Sequence, residues 1–134
     1  MGTAIARLKR RQDFLRAASA RRKFVAPGLI LQARHHAGAE LESAEIASRR
    51  VGFTVSRKVG KAVVRNRARR RLKEVAERVL TDHAREDNDY VIIGRAATVS
   101  RPFAALVKDL ETALKKLDCY RNGGLTPETA EQSG

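Results

Sequence analysis

The sequence predicts an α+β fold, in which helices cover one small central mixed β-sheet, or the closely related open α/β sandwich. Three observations predict it. Val51, Phe53 and Val55 alternate with small and polar residues, as in a strand with one buried face. Residues 62–80 carry apolar side chains at helical spacing instead. The short apolar run at residues 90–93 is typical of a central strand that is covered on both sides.

The remaining elements are predicted from the same two patterns, the alternation of strands and the apolar spacing of helices. Residues 9–19 lack Gly and Pro and indicate a short helix. Residues 24–33 alternate as a strand does, and a Pro-Gly pair near the start leaves open whether they form one strand or two. Residues 81–89 predict an acidic turn, and residues 100–117 predict a closing amphipathic helix. The predicted element order is therefore α-β-β-(β)-α-β-α.

The charge of the chain is large and unevenly distributed. The chain has 28 Lys and Arg against 15 Asp and Glu, a formal net charge of +13. Residues 1–73 hold 20 of the basic and 4 of the acidic side chains. The expected partner is therefore a polyanion, and the first half of the chain is expected to meet it.

The length of 134 residues fits one domain with a modest aliphatic core. We expect residues 1–118 to form a single RNA-binding domain. Residues 119–134 contain Gly-Gly, Pro and almost no apolar side chains, so they are expected to form a disordered tail. The polar residues 35–49 predict a connecting segment.

The long helix carries the densest charge. Residues 57–73 include nine basic side chains and no acidic one. At 3.6 residues per turn, Asn66, Arg69 and Arg70 lie opposite the apolar stripe. Like charges four residues apart, such as Arg65 and Arg69, destabilise an isolated helix. A run of one sign therefore favours an RNA-binding face over a merely solvated one, and arginine suits phosphate and exposed bases.

Other candidate sites are weak. Cys119 is the only cysteine, so the chain can form no internal disulfide, which fits the reducing cytoplasm. His35 and His36 are neighbours on a strand and point to opposite faces, while His83 lies in an acidic, solvated segment. We therefore predict no metal site on the protein. No apolar run is long enough to span a membrane, and we expect neither a membrane nor a small-molecule substrate as a partner.

One segment matches a known signature. The residues SRKVGKAVVRNRARRRLKE, from Ser56 to Glu74, resemble the bacterial ribonuclease P protein family, in which a strand ending in Ser and two basic residues leads through Gly into a helix with Arg-Asn-Arg. RLKRRQDF, RVGFTVS and DYVIIGR match the family around it. The resemblance extends over residues 7–117.

The resemblance implies a non-catalytic subunit of an endoribonuclease that removes the 5′ leader of precursor tRNA. The ribonuclease P RNA would perform the cleavage with Mg²⁺ held on the RNA subunit and substrate, so no catalytic residue is expected on the protein. It also implies a left-handed crossover through the long helix, against the usual rule. The residues that match the RNA-subunit-binding positions are Lys61, Arg65, Asn66, Arg67, Arg69, Arg70 and Lys73.

The family's second surface is a cleft between the first helix and the open sheet face, where the single-stranded leader lies. The residues that match it are Phe14, Arg57, Lys58 and Arg95. This chain departs from the family where Ala18, Gln32 and Ala33 replace expected aromatic residues, so stacking in the cleft should be weaker. Phe14 has an alternative role in the core, because aromatic residues on amphipathic helices are often buried.

Two other functions stay open on the sequence alone. Net charge by itself would also fit a generic basic RNA-binding protein of the ribosomal type. A nuclease with its own metal site would need paired carboxylates beside the basic groove. The basic half offers only Asp13, Glu40, Glu42 and Glu45, so we predict no active site on the protein.

Overall fold

In the part of the chain that the structure describes, five strands form one mixed sheet and three helices pack on it. The computed structural model describes residues 5–36 and 49–121. Two short 3-10 turns follow β4 and β5, at Arg57–Val59 and Ala96–Thr98. In chain order the elements are β1 (Ala6–Arg7), α1 (Arg11–Ser19), β2 (Lys23–Val25), β3 (Leu29–His35), β4 (Arg49–Thr54), α2 (Ala62–His83), β5 (Asn88–Gly94) and α3 (Phe103–Lys116).

The sheet has the order β1-β4-β5-β3-β2. The three strands β1, β4 and β5 are parallel, while β3 is antiparallel to β5 and β2 is antiparallel to β3. The predicted mixed sheet with covering helices is confirmed, and the optional third strand of the predicted order is present. Helix α2 connects the adjacent parallel strands β4 and β5. The left-handed sense of that crossover stays a prediction from the resemblance.

The two faces of the sheet are covered unequally. On one face, side chains of β3, β4 and β5 pack with α2 and α3 into the main core, which includes Leu31, Val51 and Ile92. On the other face α1 forms a smaller cluster with Leu8 and Val91. This second face is only partly covered, which leaves room for a ligand beside α1.

Of the two alternatives left open for residues 24–33, the structure shows two strands, β2 and β3, joined at Pro27 and Gly28. The backbone N–H of Gly28 donates to Asp109 Oδ2 of α3 at 3.0 Å. A Cβ at Gly28 would lie 2.5 Å from the Leu106 side chain. Because α3 packs this closely, the connection between β2 and β3 requires glycine at position 28. The Arg101 side chain donates to both carboxylate oxygens of Asp109 and holds that residue in place.

The prediction of an acidic turn at residues 81–89 was wrong at both ends. Helix α2 continues to His83, and Asn88 and Asp89 already belong to β5. Asp89 is fully buried rather than solvated. The physical reason is that cations from other strands surround its carboxylate, which no local sequence pattern shows.

Asp89 is the centre of a buried ion-pair cluster. Arg50 donates to both carboxylate oxygens, from Nε at 2.7 Å and from Nη2 at 2.8 Å. His36 Nε2 lies 2.7 Å from Oδ1, and Arg34 Nη1 donates to Oδ2 at 3.1 Å. Burial alone would raise the pKa of Asp89, but the bonds from Arg50 and His36 outweigh it and hold the pKa below its ordinary value.

Arg50 also connects α1 to the sheet. Arg50 Nη1 lies 3.6 Å from Asp13 Oδ2, and Asp13 also pairs with Arg10 and Arg16 of its own segment. Asp13 is buried. Helix α1 is therefore fixed by an ionic contact as well as by its small apolar cluster.

Arg49, next to Arg50, binds the C-terminal end of α2. Its side chain is fully buried, and Nη1 donates to the carbonyl oxygens of Leu80 and Thr81 at 2.9 and 3.0 Å. These carbonyls belong to the last turn of the helix, where a cation is favoured, and the Leu80 carbonyl also accepts from the N–H of Ala84 at 3.2 Å. Two of the basic residues in the first half therefore stabilise the fold rather than face a partner.

The predicted tail begins three residues too early. Cys119 is fully buried, Tyr120 forms a bridge with Ala84, and Arg121 Nε donates to the Ala84 carbonyl. Burial raises the pKa of the Cys119 thiol. The fold therefore includes these three residues, whereas residues 122–134, like most of the predicted connection at 35–49, lie outside the described residues.

We predict that Asp89→Asn lowers the free energy of unfolding at pH 7 by about 3–5 kcal/mol, because it removes the buried negative charge on which Arg50, Arg34 and His36 converge. Urea unfolding would measure it, with the exposed Asp118→Asn as the control. Because the folded pKa is depressed, the stabilisation is present above the ordinary value of 3.8 and is lost as pH falls below it. The two proteins should therefore converge in acid, and an equal gap at pH 7 and in acid would contradict this role.

Candidate nucleic-acid interface

Helix α2 has two opposite surfaces. Ala68, Leu72, Val75 and Val79 are buried in the main core, as the apolar stripe predicts. The opposite side carries the cations. Because burial of this stripe fixes the rotation of the helix, the charged side must face solvent.

The basic face is defined by the seven residues predicted for the RNA subunit. Its exposed members are Lys61, Asn66, Arg67, Arg70 and Lys73, and its half-buried members are Arg65 and Arg69. The structure brings all seven together along the first three turns of α2.

Two members of the basic face are held in place by neighbours. Arg65 Nε donates to the Gly60 carbonyl at 3.2 Å, and Arg69 Nη1 donates to Asn66 Oδ1 at 3.3 Å. Arg71 points elsewhere, because its guanidinium donates to the Arg101 carbonyl near α3. The face therefore combines hydrogen-bonded cations with exposed ones, and it has a side-chain amide among them.

The start of α2 adds to this positive field. Gly60 precedes the helix with φ of +154°, and a Cβ there would lie 3.0 Å from Val64, so glycine suits this turn. The first turn of α2 contains no acidic residue, and Lys61 at the N-cap makes no side-chain cap. The free N–H groups of a helix N-terminus attract anions. The N-terminus of α2 and the cations of the basic face therefore both favour an anionic ligand.

A second candidate surface lies on the partly covered face of the sheet. The register aligns Val25 with Ile30, Ile30 with Ile93, and Ile93 with Thr54 across four strands. Val25 is 49% exposed, and the other three are half-buried. This row, together with Phe14 of α1, is called the leader cleft below, after the ligand that the resemblance predicts for it.

Phe14 occupies the wall of the leader cleft and packs on the sheet as well. Its ring lies over Gly52, where a Cβ would come within 2.5 Å of two ring carbons. It contacts the small cluster of Leu8, Ala17 and Val91 but stays half-buried. The two predicted roles are therefore compatible, since one side of the ring packs and part of it remains accessible.

Three predicted cations lie at one edge of the leader cleft. Because β4 and β5 are parallel, their carboxyl ends bring Arg57, Lys58 and Arg95 to the same edge of the sheet. Arg57 and Lys58 are exposed. Arg95 is half-buried, and its Nη1 donates to the Ala26 carbonyl at 2.6 Å. Arg95 is thus partly occupied in holding the end of β2, and Arg57 and Lys58 are the freer pair.

The cleft floor was not identified from the sequence. The alternation in β3 already separates Ile30 and Gln32 from the core residues Leu31 and Ala33, so that signal was available. Ala33 is buried on the core face and does not reach the cleft. The prediction that Ala33 replaces an aromatic residue of the cleft was therefore wrong. Gln32 does lie on the cleft side. The floor is therefore aliphatic where a stacking platform was expected.

The described carboxylates and histidines are not gathered into one cluster. Within residues 5–36 and 49–121, no group of three His, Cys, Asp or Glu is placed to hold a metal ion. Asp13, the one described carboxylate of the basic half, is buried against arginines. Over the same residues, no helix is long and apolar enough to cross a membrane.

Sequence comparisons agree on one family. A family model described as Ribonuclease P matches residues 3–118. A ribonuclease P protein component from Paramagnetospirillum magneticum is 48% identical over 132 residues, which are 97% of each chain. Another from Ruegeria pomeroyi is 51% identical and covers 86% of this chain and 88% of its own.

Solved structures show the same fold. The RNase P protein of Staphylococcus aureus superposes with a TM-score of 0.68 at 23% identity, covering 88% of this chain and 100% of that one. The RNase P protein of Thermotoga maritima gives a TM-score of 0.64 at 24% identity, covering 82% and 96%. At these identities the likeness concerns the architecture alone.

The contact between Phe14 and Gly52 generates a testable prediction. Gly52→Ala should lower the free energy of unfolding by about 1–3 kcal/mol, because the new methyl group overlaps the ring. Adding Phe14→Leu should recover part of that loss, since the smaller side chain makes room. Thermal or urea unfolding of the single and double variants measures both effects, and a fully stable Gly52→Ala protein would show that the ring does not pack there.

Proposed function

The chain belongs to the ribonuclease P protein family, and from this premise we propose how its two surfaces divide the binding of RNA. As a member of that family it is a component of the endoribonuclease that processes the 5′ end of tRNA. The observation that carries the proposal is the one-signed basic face of α2, which lies directly opposite a buried apolar stripe.

The basic face is proposed to bind the ribonuclease P RNA through phosphates. Arg67, Arg70 and Lys73 are exposed, and no carboxylate of the described residues pairs with them. Each can therefore approach a phosphate without first breaking an ion pair, and binding releases condensed counterions from the RNA. The like-charge repulsion along the helix is relieved at the same time. Arg65 and Arg69 are proposed to contribute with less freedom, since each already holds a neighbour.

The leader cleft is proposed to bind the single-stranded 5′ leader of precursor tRNA. Phe14 offers the one aromatic surface, and Ile30, Ile93 and Val25 offer an aliphatic floor on which bases can lie. Arg57 and Lys58 at the edge are placed for the leader's phosphates, with Arg95 contributing from the other strand. Stacking supplies about 1–3 kcal/mol per base where aromatic residues are available. With one aromatic residue, charge should contribute a larger share of the affinity here.

The chemistry is proposed to belong to the RNA. We expect Mg²⁺ on the RNA subunit and the substrate, where metal ions can activate water and stabilise the leaving oxygen. The protein would contribute binding and orientation. We expect this complex in the bacterial cytoplasm, where precursor tRNA is made.

The assignment of the basic face can be tested by salt dependence. Replacing Arg67 and Arg70 together with Gln should weaken binding to ribonuclease P RNA and lower the slope of log Kd against log salt, by about one unit per lost phosphate contact. Filter binding over a series of salt concentrations measures the slope.

Lys108→Gln, on the exposed side of α3, is the matched control and should leave the slope unchanged. An unchanged slope in the double variant would mean that the basic face does not touch the RNA. Equal affinity of the native protein for unrelated duplexes would instead indicate a generic basic RNA-binding protein.

A further inference from the structure

A groove of about 450 Å³ opens between the β1 edge of the sheet and α2. It lies on the core side of the sheet, away from the leader cleft. Its floor is apolar and includes Ile5, Phe53 and Ala76, while Arg7, Lys73 and Glu77 stand at its sides. Its volume is within the range of roughly 300–1,000 Å³ that is typical of small-ligand sites. We call this feature the edge groove.

Arg7 is the most informative residue of the edge groove. Its guanidinium lies over the Phe53 ring, 4.9 Å from the centroid. Arg7 is exposed, and no carboxylate of the described residues pairs with it. The stacking orients the guanidinium without using its N–H donors. The protein therefore presents a positioned, unneutralised cation at the mouth of an apolar groove.

The edge groove continues the basic face. Lys73 belongs to both, because it is the last cation of that face and also lines the groove. Across the groove Arg7 supplies a second cation, so an anion between them would meet positive charge from α2 and from β1. Glu77 on the same wall is an acceptor that repels phosphate but can receive the amino or imino hydrogens of a base. The arrangement separates a place for phosphate from a place for a base.

We propose that the edge groove receives one unstacked nucleotide of the RNA subunit. Its phosphate would lie between Arg7 and Lys73, and its base would lie on the Arg7 and Phe53 pair, above the apolar floor. RNA recognition commonly uses bases that are splayed out onto aromatic rings or guanidinium planes. This inference rests on the proposed function, because it extends the RNA-subunit interface from α2 to β1.

The test uses the full-length protein and ribonuclease P RNA. Arg7→Gln should weaken binding about 5-fold or more and lower the salt slope by about one unit. Phe53→Leu keeps an apolar side chain in the core but removes the ring, so it should weaken binding about 5-fold without changing the slope. Urea unfolding of both variants shows whether the fold is kept, and Lys108→Gln is again the control.

A photoreactive side chain at Thr81, on the groove lining, identifies the occupant. Crosslinking in the complex should yield one or a few unpaired nucleotides of the RNA subunit. Crosslinks to paired RNA, to the leader or to protein would overturn the proposal. If Arg67→Gln weakens binding while Arg7→Gln and Phe53→Leu do not, the edge groove proposal fails and the proposed function stands. If none of the three variants weakens binding, both fail.

Discussion

The ion-pair cluster at Asp89 is the constraint on which the arrangement of this protein depends. A carboxylate without exposure to solvent must be matched by cations, since an unpaired buried charge costs several kcal/mol. Arg50 of β4 and Arg34 of β3 supply them from both neighbouring strands, with His36 just beyond β3. The register of the three central strands is thereby fixed. Any slip by one residue would move Asp89 to the opposite face.

The cluster also determines where the ligand surface lies. Arg50 reaches on to Asp13, so α1 is tied to one end of the partly covered sheet face. That position places Phe14 over Gly52 and leaves the row from Val25 to Thr54 uncovered. The leader cleft is therefore a consequence of where α1 is fixed. A buried salt bridge need not add stability in itself, but it specifies one arrangement among the several that an aliphatic core would permit.

Helix α2 carries a dense row of cations and also forms part of the core. Its cations repel one another, and an isolated helix with this sequence would be weakened by the i,i+4 pairs. Burial of the apolar stripe and the contacts of Arg49 with the last-turn carbonyls compensate for that repulsion. The core thus holds the arginines close together, and the proposed binding of RNA would neutralise them. The same packing fixes the backbone that carries the basic face, which favours specific contacts over diffuse attraction.

What the sequence predicts and what it misses follow from the range of the interactions. The stripe of α2 and the alternation of β4 depend on near neighbours, and both predictions were confirmed. The buried states of Asp89, Arg49 and Arg50 depend on partners more than 30 residues away, so the local acidic composition was misleading. Strand β1 has only two residues, too few to show a period. Of the two surfaces, the basic face is visible in the sequence as charge, whereas the cleft floor required the strand register.

The most direct test of the account is the dependence of protein assistance on the leader. Precursor tRNAs with 5′ leaders of increasing length would be cleaved by ribonuclease P RNA at low magnesium, with and without the protein, and their affinities compared. The account predicts that the protein's contribution rises with leader length and levels off once the leader cleft is filled. An equal contribution for every leader length, or cleavage by the protein without RNA, would contradict it.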